Sequence, residues 1–429
     1  MKKKFKFISY LVFIIIICGF ILFFFSKSLV KGKFGAGLKN YIWPLIPERS
    51  QTIIKILYDD KYFKRNLNDY NVRFLPETQS ISLDLEEINI DYLQEMHGIY
   101  NKKSKKKTFF IELIDNNIWI IDVIGNIYNL GNLKDIKYNK KDNLKKIKID
   151  SNNLELFEVL DTYTNDGNFF ISYARKKDEC YFINVAVSKI ESKLNFKNFF
   201  SSDECSKSRI QGGRLQKYTH YEKKGILITV GDNSSRENEN KNAQDISSIY
   251  GKILFKEYED YNEKNYTLFS KGHRNPQGLI VYKNTIISTE HGPRGGDEIN
   301  KIKYNLNYGW PIASYGEDYL TDKKKYKKNH EKFNFVEPIF SFVPSIGINE
   351  IIHIPNSFNS KWEDNFLIAS LNDRSIYRVK FSKNFDKILY NEKIFIGQRI
   401  RDLKYDYESK RIFLALETDG SLGIIQNLN

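Results

Sequence analysis

The sequence predicts an all-β protein, and three observations carry that expectation. Short apolar segments recur along most of the chain, they end in Asn, Asp or Gly, and aromatic residues reach 15% of the total, with 28 Tyr and 31 Phe against 2 Met. Aromatic and β-branched side chains suit a pleated surface. Repeated short strands with turn chemistry between them read as a sandwich, a barrel or a propeller. At 429 residues, 41% hydrophobic and 28% charged, the chain is long enough to bury a large core, which excludes a disordered tail or a disulfide-stapled miniprotein.

The first 26 residues stand apart from that core. Residues 8–25, from Ile8 to Phe25, carry no charge and follow four lysines, and about 20 apolar residues span the hydrocarbon layer as a helix. The run continues into FFFSKSLVKGKFGAG with no Ala-x-Ala exit, so it reads as an uncleaved signal-anchor holding the bulk of the chain outside the cytoplasm, as in a periplasm. Residues 27–79 read as a tether: they hold Trp43, Pro44, Pro47 and Pro76 and a short amphipathic piece, TIIKILYDDKYFKRNL, at 52–67.

Charge supports the same division. The net charge is +14, but the first fifty residues hold nine Lys and Arg against the single acid Glu48, so more than half of the excess flanks the apolar run. A nucleic-acid-binding surface loses its support, and the runs at 102–107 and 323–328 read as solvated loops. Of three cysteines, Cys18 lies in the apolar run, while Cys180 and Cys205 each close an Asp-Glu-Cys triplet. In an oxidising compartment those two could pair across neighbouring strands; two free thiols are the alternative.

From residue 80 the strand pattern takes over. TFFIELI (108–114), NIWIIDVIGNIYNL (117–130), GNFFISYAR (167–175), CYFINVAVSKI (180–190), GILITVGD (225–232), NTIISTEHG (284–292), NFLIASLND (365–373), SIYRVKF (375–381) and RIFLALETDG (411–420) all fit. Residues 80–429 would supply about 58 residues to each of six blades, more than the ~40–50 of compact propeller repeats.

The chemistry concentrates in GHRNPQGLIVY at 272–282 and STEHGPRGGDEINKIKYNLNYGWP at 288–311. Arg274 is a planar fork suited to a carboxylate, and Asn275 and Gln277 both donate and accept. Gly292, Pro293, Asp297 and Glu298 supply the carbonyl and carboxylate oxygens that a hard cation such as calcium takes. Arg399 and Arg401, in GQRIRDL, alternate along a strand and so point to one face.

GHRNPQGL, TEHGPRGGDEIN and NYGWP, in that order, resemble the signature of the glucose/sorbosone dehydrogenase family, the aldose sugar dehydrogenases that depend on pyrroloquinoline quinone (PQQ). GGRL at 212–215, GD at 231–232 with AQDISSIYGKIL at 243–254, PSIG at 344–347 and QRIRDL at 398–403 extend the likeness, with weaker similarity near 153–173. The resemblance implies a six-bladed β-propeller that oxidises a sugar at its anomeric carbon to a lactone, using PQQ and calcium. It places Arg274, Asn275 and Gln277 in the quinone pocket, Arg399 and Arg401 on the quinone's carboxylates, and the carbonyls of Gly292 and Pro293 on its calcium. Glu298 and the backbone around Tyr308 would hold a second, structural calcium.

Three positions depart from the family pattern. A histidine that serves as general base precedes GGRL in active members, and here that position is Ile210. Asn372 stands where a lysine reaches the quinone, and Asn153 stands roughly where a glutamine belongs. Arg209, beside the vacancy, and the histidines, among them His97, are candidate replacements. The sequence therefore sets two expectations: an anchored sugar dehydrogenase, or a propeller that keeps the pocket to bind a carbohydrate or an anionic ligand without turnover.

Overall fold

A computed structural model of the chain describes residues 72–74, 81–90, 93, 96–97, 105–132, 145–150, 154–233, 241–318 and 326–428. The chain divides after Tyr70, and all described residues follow that point. The expected anchor at 8–25 and nearly all of the tether lie outside the described residues. Among the described residues no helix is long and apolar enough to cross a membrane.

Alternating apolar segments separated by tight turns fold as antiparallel meanders, and six of them form a propeller. Blade 1 comprises Phe109–Ile114, Asn117–Asp122, Ile127–Asn132 and Lys145–Lys146. Blade 2 comprises Leu156–Asn165, Asn168–Lys177, Cys180–Lys189 and Lys197–Ser201. Blade 3 comprises Gly212–His220, Lys223–Val230, Lys252–Glu257 and Thr267–Lys271, with Leu306–Asn307 at its edge. Blade 4 comprises Pro276–Tyr282, Thr285–Glu290, Asp297–Ile302 and Phe340–Phe342. Blade 5 comprises Ile348–Ile354, Asn365–Ser370, Ser375–Phe381 and Ile388–Phe395. Blade 6 joins the chain's two ends: Ile400–Asp406, Arg411–Leu416 and Ser421–Asn427 are completed by Leu83–Asn89 and then Val72–Phe74, which extends the sheet into the segment read as tether.

The closure is antiparallel, with Leu83 opposite Asn427 and Asn89 opposite Ser421. The first strand of each blade touches the first strand of the next, and blade 6 touches blade 1, so these inner strands ring a central channel. Full closure removes the sheet edges that an open array would expose. Six apolar clusters fill the spaces between adjacent blades, for example Phe109, Ile111, Phe413 and Ala415 between blades 1 and 6. The alternation seen in the sequence is thus a strand pattern buried on both faces, because each blade packs on two neighbours.

Inner strands of blades 2 to 6 carry register shifts near their first residues, at Leu156/Glu158, Gly212/Leu215, Pro276/Gly278, Ile348/Ile351 and Ile400/Asp402. Such bulges re-aim side chains, and here they do so around one end of the channel.

Cys180 and Cys205 form a disulfide with Cα atoms 5.1 Å apart. It ties the start of a blade 2 strand to the segment leading into blade 3, reinforced by reciprocal backbone bonds between Tyr181 and Ser206, each 2.9 Å. Closing a loop of 25 residues removes unfolded-state entropy equivalent to about 3 kcal/mol. Replacing both cysteines by serine is expected to lower the free energy of urea unfolding by about that amount; an unchanged midpoint would contradict the assignment.

Candidate functional site

Two successive glycines set up the centre of the molecule. Gly212 and Gly213 have φ of +80° and +96°, and a Cβ on Gly213 would lie 2.5 Å from the Leu160 Cβ, so no other residue fits. They deliver Arg214 into the channel, 2% exposed. Its guanidinium donates to Asp161 Oδ1 (2.7 Å) of blade 2, the Gln277 carbonyl (2.6 Å) of blade 4, Asn349 Oδ1 (3.1 Å) of blade 5 and the Arg401 carbonyl (3.0 Å) of blade 6. It also pairs with Glu350 at 2.6 Å. Asp402 beside it accepts from Ile111 N of blade 1 at 2.9 Å, and Lys404 pairs with Glu112 at 3.1 Å. Two cations cannot neutralise four carboxylates in this space. Burial, aided by Asp161 and Asp402 and opposed by Arg214, pushes Glu350 up to about 8.

Next to this plug lies a cavity of about 220 Å³, lined by residues from the starts of the inner strands and the loops beside them. A polar belt runs around it: Arg401 Nη1 donates to Gln277 Oε1 (3.4 Å), Gln277 Nε2 to Asn275 Oδ1 (2.8 Å), and Gly212 N to the same oxygen (3.1 Å). His291 completes the belt. Its Nε2 is buried without a hydrogen-bond partner. Burial pushes its imidazole down to about 4, with Arg274 and Arg401 adding to the effect and Asp297 opposing it. Apolar walls come from Phe110, Val159, Leu160, Ile210 and Leu371.

Of the five residues expected in the quinone pocket, Asn275, Gln277 and Arg401 line the cavity. Arg274 stands just behind, donating to the His291 carbonyl (3.0 Å) and lying 5.4 Å from the centre of the Trp310 ring. Arg399 and Arg401 do point to one face, and they meet there on an internal acid: Arg399 Nε lies 2.5 Å from Glu417 Oε1, and Arg401 Nε lies 2.9 Å from Oε2. Burial alone would raise Glu417, but the two guanidinium groups outweigh it and hold the carboxyl at about 2. The fork thus keeps one net positive charge, aimed by Arg401 at the cavity.

The expected cation loop divides in two. Asp297 is filled by backbone donors: Oδ1 accepts from Gly292 N (3.0 Å), and Oδ2 from Ile346, Gly347 and Ile348 N (2.7 to 3.0 Å). Its carboxylate therefore ties the GPRGGD loop to the start of blade 5. The Pro293 carbonyl accepts a long bond of 3.4 Å from Ser345. Glu298 lies away from the cavity, 3.7 Å from His330 and close to Glu290 and Glu337, and burial raises its carboxyl well above the ordinary value. The Tyr308 hydroxyl is committed to the Lys301 carbonyl and Lys303 N, and its ring stacks on His273. Among the described residues no group of three or more His, Cys, Asp and Glu side chains is arranged to hold a metal.

Ile210 lines the cavity and is 5% exposed, packed in the apolar cluster between blades 2 and 3. Arg209 is engaged by Glu158. Asn372 is exposed beside the lining residue Leu371, and Asn153 and the His97 side chain lie outside the described residues. Glu158, Gln211 and Thr108 also line the cavity, though none of them stands among the candidate site residues read from the sequence.

The glucose/sorbosone dehydrogenase family model matches residues 154–425. Aldose sugar dehydrogenase YliI of Escherichia coli (strain K12) is 31% identical over 226 residues, 49% of this chain and 58% of that protein. Quinoprotein glucose dehydrogenase B of Acinetobacter calcoaceticus is 27% identical over 165 residues, 36% of this chain and 33% of that one. The match thus spans less than two thirds of either relative. Among solved structures, the apo-form of the soluble aldose sugar dehydrogenase from Escherichia coli superposes with a TM-score of 0.63 at 21% identity, covering 80% of this chain and 99% of that chain. The PQQ-bound aldose sugar dehydrogenase from Streptomyces coelicolor gives 0.54 at 15%, covering 80% and 98%. These likenesses establish the propeller fold.

The Glu417 fork has a pH signature. Because the folded value lies below the unfolded one, its stabilisation is complete above about 4.5 and is lost as pH falls toward about 2, an effect of about 3 kcal/mol. Urea unfolding of the parent and Glu417→Gln should differ by about that much at neutral pH, and the gap should close through the acid range. A gap independent of pH would contradict it.

Proposed function

This chain belongs to the glucose/sorbosone dehydrogenase family, and from that premise we propose that its propeller binds PQQ at the channel mouth and oxidises an aldose at its anomeric carbon to a lactone. The observation that carries the reading is the polar belt of Arg401, Gln277, Asn275 and His291 around one cavity at the end of the channel. These residues fit an anionic quinone: a cation with one charge to spare, two side-chain amides, and a buried imidazole nitrogen without a partner. Arg401, Gln277 and Asn275 would hold it, with Arg399 behind. When bound, PQQ supplies the two-electron acceptor for a hydride from the sugar.

The chain's own residues do the rest. Arg401 fixes the anionic end of the guest, and the belt orients it. Ile210, Val159, Leu160 and Phe110 exclude water from the reacting side, which strengthens every charge interaction inside. Calcium would sit on the Gly292 and Pro293 carbonyls. A second calcium would relieve Glu298, whose carboxyl faces Glu290 and Glu337; it would draw its remaining ligands from main-chain carbonyls near Tyr308. The disulfide supports an oxidising compartment, in keeping with an anchor at residues 8–25 that leaves the propeller outside the cytoplasm. The buried Ile210 favours a second reading, in which the same pocket binds its guest without turnover.

The test uses the full chain with PQQ and calcium. Quenching of tryptophan fluorescence measures binding, and reduction of a redox dye measures oxidation of a panel of aldoses. Saturable binding that weakens by 10-fold or more in Arg401→Ala, the loss of one charge-assisted contact of about 1.5–3 kcal/mol, together with turnover and a lower melting point after calcium chelation, is expected. Binding without turnover selects the second reading, and absence of PQQ binding overturns the first.

A further inference from the structure

Glu158 shares the cavity wall with Ile210 and has no part in the reading so far. It lies between two register shifts in the inner strand of blade 2, at Leu156/Glu158 and Val159/Asp161, and breaks so close together aim a strand side chain out of its regular alternation. Its Oε2 accepts from Arg209 Nε at 3.0 Å and pairs with Nη2 of the same residue. Arg209 immediately precedes Ile210, so this ion pair fastens the carboxylate to the very segment that carries the position of the missing histidine. No described residue donates a hydrogen bond to Oε1, and Glu158 is 8% exposed.

The surroundings suit proton transfer. Burial lifts the Glu158 carboxyl above its ordinary value, against Arg209 and, more weakly, Arg401, which moves a carboxylate toward the working range of a general base. The charged or titratable groups facing it are Arg209 on the segment before blade 3, Arg401 on blade 6 and the His291 imidazole across the cavity. His291 belongs to the other wall, with its N–H on the Asn275 carbonyl and its own carbonyl on Arg274. Arg209 is committed to Glu158 and is a permanent cation, so it cannot itself take a proton.

We propose, resting on the sugar dehydrogenase reading above, that Glu158 is the proton acceptor that replaces the histidine absent at Ile210. Oε1 takes the proton of the sugar's anomeric hydroxyl while the C1–H electron pair leaves as hydride for the quinone. C1 becomes the lactone carbonyl, the acceptor gains two electrons, and the neutral carboxyl returns its proton to solvent at the channel mouth. Arg209 is the positioning residue: it fixes one oxygen and leaves the other to react.

The experiment compares the full-length parent with Glu158→Gln and Arg209→Gln, measuring PQQ affinity by fluorescence quenching and dye-coupled aldose oxidation across pH. Glu158→Gln should keep parental PQQ affinity, which also certifies its fold, and lose about 10²–10⁴ in kcat. Adding Ile210→His to it should restore turnover. Arg209→Gln should move the acid limb of the pH profile upward, because the carboxylate holds its proton more tightly without the cation. Parental turnover in Glu158→Gln, or an unmoved acid limb in Arg209→Gln, overturns the assignment. A parent that binds PQQ yet oxidises no aldose overturns Glu158 while leaving the quinone site standing. A parent that binds no PQQ overturns the broader reading and this one with it.

Discussion

One guanidinium organises this propeller. Arg214 reaches blades 2, 4, 5 and 6 from blade 3, and through Asp402 the network extends to blade 1. A buried cation is stable only where acceptors surround it. The ring of inner strands therefore has to close at the radius that lets Asp161, Glu350, Asn349 and two carbonyls meet at one point. Removing such a centre leaves uncompensated buried charge, about 3–5 kcal/mol in comparable cases. The same network closes off the channel beside the cavity, so the neighbourhood that a ligand meets is set by the fold itself. The two glycines before Arg214 are the local condition for this, since the chain must turn with positive φ where a Cβ would meet its neighbours.

Charge at the cavity follows the same logic at smaller scale. Glu417 takes one charge from the Arg399 and Arg401 pair and holds both side chains in place. What remains is a single oriented cation rather than two mobile ones, and a preorganised donor loses less entropy when a guest arrives. Elsewhere on the cavity wall Arg209 and Glu158 form a neutral one-to-one pair, in which a cation fixes one carboxylate oxygen and leaves the other open.

Much of this was legible in the sequence. Strand segments and turns were visible as alternation and punctuation, and Asn275, Gln277 and Arg401, which the motifs single out, line one cavity. The even spacing of Arg399 and Arg401 correctly put them on one face. What could not be read was the partner of each charge. Glu417 lies in an ordinary strand segment, and Glu158 meets Arg209 across 51 residues; nothing in local periodicity links such positions. Asp297 illustrates the same gap. Beside Glu298 in a glycine-rich loop it reads as a cation ligand, yet the fold turns backbone N–H groups from the start of blade 5 onto it. Spacing alone leaves the Cys180–Cys205 bridge open; the fold pairs Tyr181 with Ser206 and so brings the two cysteines together.

The most direct measurement of the central claim is a crystal structure of the full chain grown with PQQ and calcium. Density for the quinone between Ile210 and Asn275, with a carboxylate within ion-pair distance of Arg401, is the predicted result. A quinone bound away from the channel mouth, or a cavity still holding only solvent at saturating concentration, would contradict it.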